Sequence, residues 1–281
     1  MARSVADLCL MLSCKLDCDA RDLQSAILHA GGTPDRSHYA EPPRVDLSRL
    51  RIATTSDFGF APTERQIAAK FDGKLSLFAS SFHNVTQAHP DCRHADEVFS
   101  VLRAVAFLGR HKDLVDKHPD KVGANIRANV KEGLGYSALD VARALSLQTE
   151  MYRAWQTFFK DHDIILAPTV TISPRPWREL YPAEIDGKPT KSYFHWLALA
   201  YAVTNVGHPV VSLPVGRDRA GMPFGIQVIG GRGRDLETLA VAREFEAILA
   251  TDALTARPIP DIGFLKRQSP ISGMPGFKGF D

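Results

Sequence analysis

Apolar residues recur along this chain at helical spacing in several separate segments. Val5, Leu8 and Leu12 follow one another at three- and four-residue intervals, and Ser4 with Asp7 is the pattern of a helix N-cap. The segment from Ser4 to about Lys15 is therefore predicted to be a helix. Further helical stripes are predicted at 67–78, 98–108, 141–159, 196–203 and 236–249. Thr63 with Gln66 opens the first of these helices, Ser137 and Asp140 cap the third, and the fourth begins at Ser192.

Short apolar runs between these stripes predict strands at 50–55, 84–86, 163–168, 210–215 and 224–229. The run at 163–168 is almost wholly apolar, as in a strand covered on both faces of a sheet. Gly216 and Gly221 separate the last two strands and favour a hairpin. Strands alternating with helices predict an α/β fold, and the hairpin makes its β-sheet mixed, with helices flanking it.

Composition excludes several classes of protein. The chain has 281 residues, 44% of them hydrophobic, and 34 Lys and Arg against 32 Asp and Glu give a net charge of +2. This balance provides no basic surface for nucleic acid, so no nucleic-acid partner is expected. No apolar run reaches membrane-spanning length and the first residues lack a signal-peptide pattern, which predicts a cytoplasmic protein without a membrane partner.

The end of the chain differs from the rest. From Arg257 onward, prolines and glycines are so frequent that no regular structure is expected. We therefore divide the sequence into a main part, residues 1–256, and a Pro/Gly-rich tail, residues 257–281. The four cysteines of the whole sequence, three of them before residue 20, are predicted to be reduced thiols, as is usual in the cytoplasm.

Self-contained catalytic motifs are absent from the sequence: it has no Gly-x-Ser-x-Gly, His-Glu-x-x-His, P-loop or Ser-x-x-Lys. The glycine- and arginine-rich stretch 230–234 could hold an anion, but its glycine spacing favours an ordinary strand-to-helix turn. His83, His89, Cys92 and His94 match no strong zinc pattern and favour a solvated loop. No metal site and no cofactor are predicted.

Longer stretches resemble the amidase signature family. The segment Ala2–Asp7 with its following helix is similar to the region after that family's catalytic segment. Residues 51–59 resemble the next strand and loop, and DIILAPT at 163–169 resembles a late family strand. Residues 205–216 are similar to the pattern N-x-x-G-x-P-x-x-S-x-P-x-G, with one residue fewer between Asn205 and Gly207, and 221–230 resemble the strand that follows it. These five stretches stand in the family's order over nearly the whole chain.

The resemblance implies amide hydrolysis by a Ser-cisSer-Lys mechanism, in which a lysine activates a serine through a bridging serine and an acyl-enzyme forms. The family's lysine and both serine segments precede the part matched here, so the fold is expected to be incomplete at its N-terminal side. The adjacent pair Ser80 and Ser81 has no glycine around it and is assigned to a helix end. No catalytic residue is therefore predicted, and Met1 could be an internal methionine of a longer reading frame.

What remains for this chain is a wall of the substrate pocket. The loop after Pro168 and the helix that follows it offer Thr169, Trp177, Tyr181 and Trp196 as substrate-binding candidates, although packing alone also explains such aromatic residues. The expected ligand is a small amide. Uncovered apolar surface predicts a second copy or the missing N-terminal half as partner.

The sequence is compatible with three functions. The chain could be the C-terminal portion of an amidase-like amidohydrolase that is inactive alone. It could instead resemble the A subunit of an amidotransferase, which releases ammonia from glutamine. A third alternative is a non-catalytic binding protein that keeps an amidase scaffold.

Overall fold

The computed structural model describes residues 1–17, 19–22, 35–176 and 179–270. Its helices, in chain order, are α1 (Val5–Ser13), α2 (Arg36–Ala40), α3 (Arg65–Phe78), α4 (Ala95–Lys117), α5 (Ala124–Leu134), α6 (Ala138–Phe158), α7 (Ala198–Val206), α8 (Asp235–Leu249) and α9 (Ile262–Arg267). Short 3₁₀ turns occupy Leu47–Arg49, Ala79–Ser81, Pro119–Lys121 and His195–Leu197.

A five-stranded mixed sheet forms the centre of the fold, as predicted. Its strands are β1 (Arg51–Thr54), β2 (Asn84–Gln87), β3 (Ile164–Pro168), β6 (Val210–Arg217) and β7 (Pro223–Gly230), while β4 (Glu184–Ile185) and β5 (Lys188–Pro189) form a separate small hairpin. The order across the sheet is β2-β1-β3-β7-β6. Strands β1, β2 and β3 run parallel, whereas β7 is antiparallel to both β3 and β6.

Two hydrophobic cores cover the two faces of this sheet. On one face, α1, α3 and α8 pack against side chains that include Ile52, Leu166 and Ile226. On the other, α4, α6 and α7 pack against Ala53, Ile165 and Ile229. All five residues of β3 are buried, which confirms a strand covered on both sides. Alternate residues of β1 and β3 thus belong to opposite cores, as the two-residue period of a strand requires.

The helix starts predicted by capping patterns are correct for two helices and wrong for a third. Ser4 accepts the Asp7 N–H at 3.1 Å, and Ser137 and Asp140 form a reciprocal capping box at α6. At α3, however, the Thr63 hydroxyl donates to the Ser56 carbonyl and caps nothing. The helix begins at Arg65, whose N–H donates to the Asp186 carboxylate at 2.7 Å. The cap comes from a residue 121 positions away, which local sequence cannot indicate.

Two further expectations need correction. The segment beginning at Ser192 forms loop and a 3₁₀ turn first, and the α-helix starts only at Ala198. In the tail, where no regular structure was predicted, the six-residue helix α9 is present because Asp261 accepts the Phe264 N–H at 2.9 Å. Residues 271–281 lie outside the described part.

The described cysteines carry no disulfide: Cys9, Cys14 and Cys92 are free, and Cys18 lies outside the described residues. Among the described helices, none combines the length and apolar character needed to cross a membrane.

Candidate functional site

A cavity of about 340 Å³ opens at the end of the sheet where β3 leaves it. It lies between the loop after β3, the beginning of α3 and the beginning of β7. The described residues that line it are mostly apolar and include Ile67, Val170, Ile172, Leu180, Tyr181, Trp196 and Phe224. A concave apolar pocket of this size is suited to a small organic group.

Buried polar contacts hold the loop after β3 against the start of α3 and the turn before α7. Glu64, which is only 6% exposed, accepts the Ser173 N–H through its Oε2 at 2.8 Å, and its own N–H donates to the Thr171 carbonyl at 2.8 Å. Thr171 is fully buried and its hydroxyl donates to the Trp196 carbonyl at 2.7 Å. The loop, the start of α3 and the turn before α7 are thereby held as one unit, so the cavity is formed before any ligand arrives.

Two of the four predicted binding residues line this cavity. The Trp196 indole donates its Nε1–H to the Tyr193 carbonyl at 2.9 Å, so its polar atom is satisfied and its ring faces remain for apolar contact. Tyr181 lies on the opposite loop and its ring centroid is 6.2 Å from that of Tyr193. Trp177 lies outside the described residues.

Thr169, the fourth candidate, is not a lining residue. Its hydroxyl lies 2.9 Å from the Ser212 hydroxyl, and the two form a hydrogen bond across the intervening strand β7. Glycine at position 225 makes this contact feasible, since a Cβ there would stand 2.8 Å from Thr169 Oγ1. The structure therefore places Thr169 beside the cavity, in the strand-to-strand packing that shapes it.

Charged side chains at the rim are already paired. Arg175 lies 3.6 Å from Glu64 and 3.2 Å from Glu179, and Asp218 accepts the N–H groups of Ala220 and Met222. The described residues of the cavity therefore leave no charge without a partner, which suits an uncharged apolar ligand.

Among the described residues of the cavity, no lysine or histidine is placed to activate a nucleophile, and the carboxylates Glu179 and Asp218 are engaged by Arg175 and by backbone N–H groups. Ser173 is one of its lining residues, but no His, Lys or Cys is among the described residues that surround it. A serine hydroxyl without a neighbouring base is a poor nucleophile. The arrangement can bind and orient a ligand, and acyl transfer requires further residues.

Ser80 and Ser81 are far from this place. They form the 3₁₀ turn at the C-terminal end of α3, as predicted for a helix end, whereas Ile67 lines the cavity at the N-terminal end. Nearly the whole of α3 separates the two, which is about 20 Å at a helical rise of about 1.5 Å per residue. The serine pair therefore takes no part in the cavity.

Polar side chains of β7 and of the glycine- and arginine-rich turn have structural roles. Gln227 is buried and its Nε2 donates to the Pro168 and Leu199 carbonyls at 3.0 and 3.4 Å. Arg232, in the glycine-rich turn, donates to the Gly207 carbonyl, and Arg234 pairs with Glu237 at 3.7 Å. These contacts account for the Gln227 amide and for both arginines.

The histidine- and cysteine-containing loop 83–94 forms no metal-binding arrangement. Within the described part of the chain, no three His, Cys, Asp or Glu side chains are gathered as a metal ion would need. Burial raises the pKa of the Cys92 thiol to about 12, and a nearby Trp155 indole only partly offsets this effect. Cys92 is thus held as a neutral thiol in the core, whereas metals bind the thiolate.

Several lining residues are not distinguished by the sequence. In the sequence, Ile67 and Phe224 are recognisable only as apolar positions of a predicted helix and a predicted strand. No local pattern identifies Arg175 or Asp218 as a residue of the site. Their place in the cavity depends on how α3 and the β6–β7 hairpin pack around the loop. The buried acidic residue Glu64, next to a predicted helix start, is the one local signal that could point to this site.

Comparison with known proteins places this geometry in context. A family profile described as Amidase matches residues 1–239. An acylamidase of Rhodococcus erythropolis is 26% identical over 252 residues, covering 88% of this chain and 51% of that protein. The A subunit of a glutamyl-tRNA(Gln) amidotransferase from Geobacillus thermodenitrificans is 24% identical over 286 residues, covering 92% of this chain and 56% of that protein.

The fold has solved counterparts as well. A bacterial aryl acylamidase of the amidase signature enzymes superposes with a TM-score of 0.74 at 19% identity, covering 92% of this chain and 55% of that one. At this identity the match establishes a shared fold. In each comparison the chain spans about half the length of the protein that it matches.

Proposed function

This chain belongs to the amidase family, and from that premise we propose that it forms the substrate-binding wall and scaffold of an amidohydrolase acting on small carboxamides. One observation carries the proposal. The family-like stretches 163–169, 205–216 and 221–230 are distant in sequence, yet they become the neighbouring strands β3, β6 and β7 at whose end the cavity lies. The cavity thus lies directly beside the strands that most resemble the family, and one of those stretches supplies Pro223, Phe224 and Gly225 to its lining.

In this proposal the cavity holds the apolar acyl part of the substrate. Trp196, Tyr181 and Phe224 would contact it, while Thr169 and Glu64 would keep the surrounding loop in place. The reactive lysine and two serines that the family resemblance implies would come from a further part of an amidase, which would also cover exposed residues at the edge strand β6, such as Val210. The cytoplasmic location and the tail boundary at residue 257 stay predictions.

The first test is hydrolysis. Purified chain incubated with benzamide or hexanamide is expected to release no ammonia, because no lysine or histidine is among the described residues that line the cavity around Ser173. Release that scales with protein concentration and stays with the protein through a second chromatographic step would contradict the proposal.

The second test is binding. Benzamide is expected to bind saturably in a calorimetric titration, and Trp196→Ala should weaken binding about tenfold, since burying a large aromatic contact contributes on the order of 1–2 kcal/mol. Tyr152→Ala is the matched control, because Tyr152 is an exposed aromatic residue on α6 outside the cavity lining. Equal loss of binding in both variants would contradict a specific role for Trp196.

An amidotransferase role is the second candidate, and the match over 92% of this chain to a protein of that kind favours it. Such a role would require other subunits. Affinity purification of tagged chain from its native cells distinguishes the two proposals: co-purification with a stoichiometric set of further subunits supports the amidotransferase, and purification without them supports the amidohydrolase. Tight benzamide binding by a chain that never acquires activity would indicate a non-catalytic binding protein.

A further inference from the structure

A second, larger concavity of about 1220 Å³ adjoins the apolar cavity. We call it the basic groove and define it by Lys70, Lys74, Arg217, Arg219 and Arg257, which are among its lining residues. It lies between α3, the β6–β7 turn and the segment after α8. Four residues line both spaces, so a single ligand could extend from one into the other: Ile67, Ser173, Pro174 and Asp218.

The charge of the groove is strongly one-sided. Among the described residues that line it, five cationic side chains face a single carboxylate, that of Asp218, which already accepts two backbone N–H groups of its own turn. Arg217 and Arg257 donate to the carbonyls of Gly221 and Arg3. Lys70 and Arg219 make no hydrogen bond or ion pair with any described residue. A concave surface with this imbalance attracts anions and concentrates them.

Lys74 shows the same imbalance at the buried end of the groove. Lys74 is only 5% exposed, and its ammonium group donates to the Leu254 carbonyl and not to a carboxylate. Burial and the neighbouring Lys70 charge lower the pKa of Lys74, and the Asp252 charge offsets this only in part. A buried cation without an ion-paired carboxylate is costly, so an anion in the groove would be stabilised by it.

We infer that this site selects carboxamides that carry a carboxylate, with the apolar acyl group in the cavity and the carboxylate in the basic groove. The inference rests on the proposed function, because it assigns the cavity to the acyl part. The shared lining connects the two spaces, and the uncompensated cations supply the selectivity. Neutral amides of the same shape would fill the cavity and leave the groove unpaired.

A matched pair of ligands tests this selectivity. N-benzoylglycine carries a carboxylate, and N-benzoylglycinamide has nearly the same shape without the charge. Calorimetric titration of the full chain at about 50 mM salt should show N-benzoylglycine binding about tenfold more tightly, as expected for one charge-assisted contact. The preference should shrink at about 500 mM salt, because exposed charges are screened.

Charge reversal in the groove locates the effect. Lys70→Glu and Arg219→Glu should each abolish the preference for N-benzoylglycine and leave N-benzoylglycinamide binding unchanged, since neither side chain supports the fold through a described contact. Lys131→Glu is the control, because Lys131 is exposed on α5 and lies outside both linings. It should change the affinity for neither ligand.

The outcomes separate the two proposals. Equal affinity for the two ligands, or a preference that survives both groove reversals, overturns the inference about the groove while leaving the cavity assignment in place. Failure of both ligands to bind, or neutral-ligand binding that Trp196→Ala does not weaken, overturns the proposed function itself.

Discussion

Glu64 offers a direct test of how the cavity wall is held. Its carboxylate accepts the Ser173 N–H and the Gln66 amide, both at 2.8 Å, and lies 3.6 Å from Arg175. Glu64→Ala removes all three interactions and leaves the Ser173 N–H without its acceptor. Because the site is at the end of the β3 loop, the change should loosen the loop as well as lower stability.

The size of the effect follows from these contacts. A hydrogen bond to an ionised acceptor contributes about 1.5–3 kcal/mol, and the bond from the exposed Gln66 and the partly exposed Arg175 pair contribute less. We expect Glu64→Ala to lower the free energy of unfolding by about 2–3 kcal/mol. In a chain of this size that corresponds to a fall in melting temperature of about 3–5 °C. Glu64→Gln keeps an acceptor of the same shape and should lose about 1 kcal/mol.

Glu97→Ala provides the matched control, since Glu97 forms an exposed ion pair with Arg143 at 2.7 Å. Such pairs contribute about 0–1 kcal/mol, so this variant should melt close to the parent protein. Differential scanning calorimetry measures both, and benzamide titration follows the loop. If Glu64→Ala and Glu97→Ala melt within about 1 °C of each other and bind benzamide equally, Glu64 does not organise the loop and the reasoning fails.

Two further predictions concern stability. Burial, with the nearby Arg232 charge, lowers the pKa of His208 below its usual 6.5 despite the bond to the Gly230 carbonyl. The unfolded chain therefore takes up the proton first as the pH falls, so the free energy of unfolding should decrease below about pH 6.5. Chemical unfolding at about pH 7.5 and 5.5 measures this decrease, and His208→Gln should make it smaller. Gly207 ends α7 with φ of +65°, so Gly207→Ala should lower the free energy of unfolding by about 1–2 kcal/mol. Gly73 lies in open space within α3, so Gly73→Ala should raise it by up to about 1 kcal/mol. Equal changes in melting temperature would refute the argument that Gly207 is needed for its left-handed backbone.

Periodicity and local capping predicted much of the sheet and its helices. The all-apolar run at 163–168 became the buried strand β3, and the glycines at 216 and 221 lie where β6 ends and before β7 begins. These elements were predictable because each depends on residues within a few positions. The start of α3 was not, since its cap is the distant Asp186, and the tail helix α9 depends on a single Asx-type cap in a proline-rich context.

The cavity was only partly predictable for the same reason. Tyr181 and Trp196 could be proposed because they follow a family-like strand, and both line it. Ile67, Phe224 and the basic groove arise from the packing of α3 against the β6–β7 hairpin, which no local pattern encodes. The role of Thr169 was also hidden, because its hydroxyl reaches Ser212 only across the glycine at position 225 of the middle strand.

Photoaffinity labelling tests the central claim most directly. A diazirine-bearing benzamide is bound to the full chain and irradiated, and the labelled residues are mapped by peptide mass spectrometry. We predict labelling of the cavity wall at residues 170–176 and 179–182 and at Trp196, and suppression of the label by excess benzamide. Labelling that excess benzamide suppresses but that is confined to another surface, such as the glycine- and arginine-rich turn at 230–234, would contradict the assignment of this cavity to the substrate.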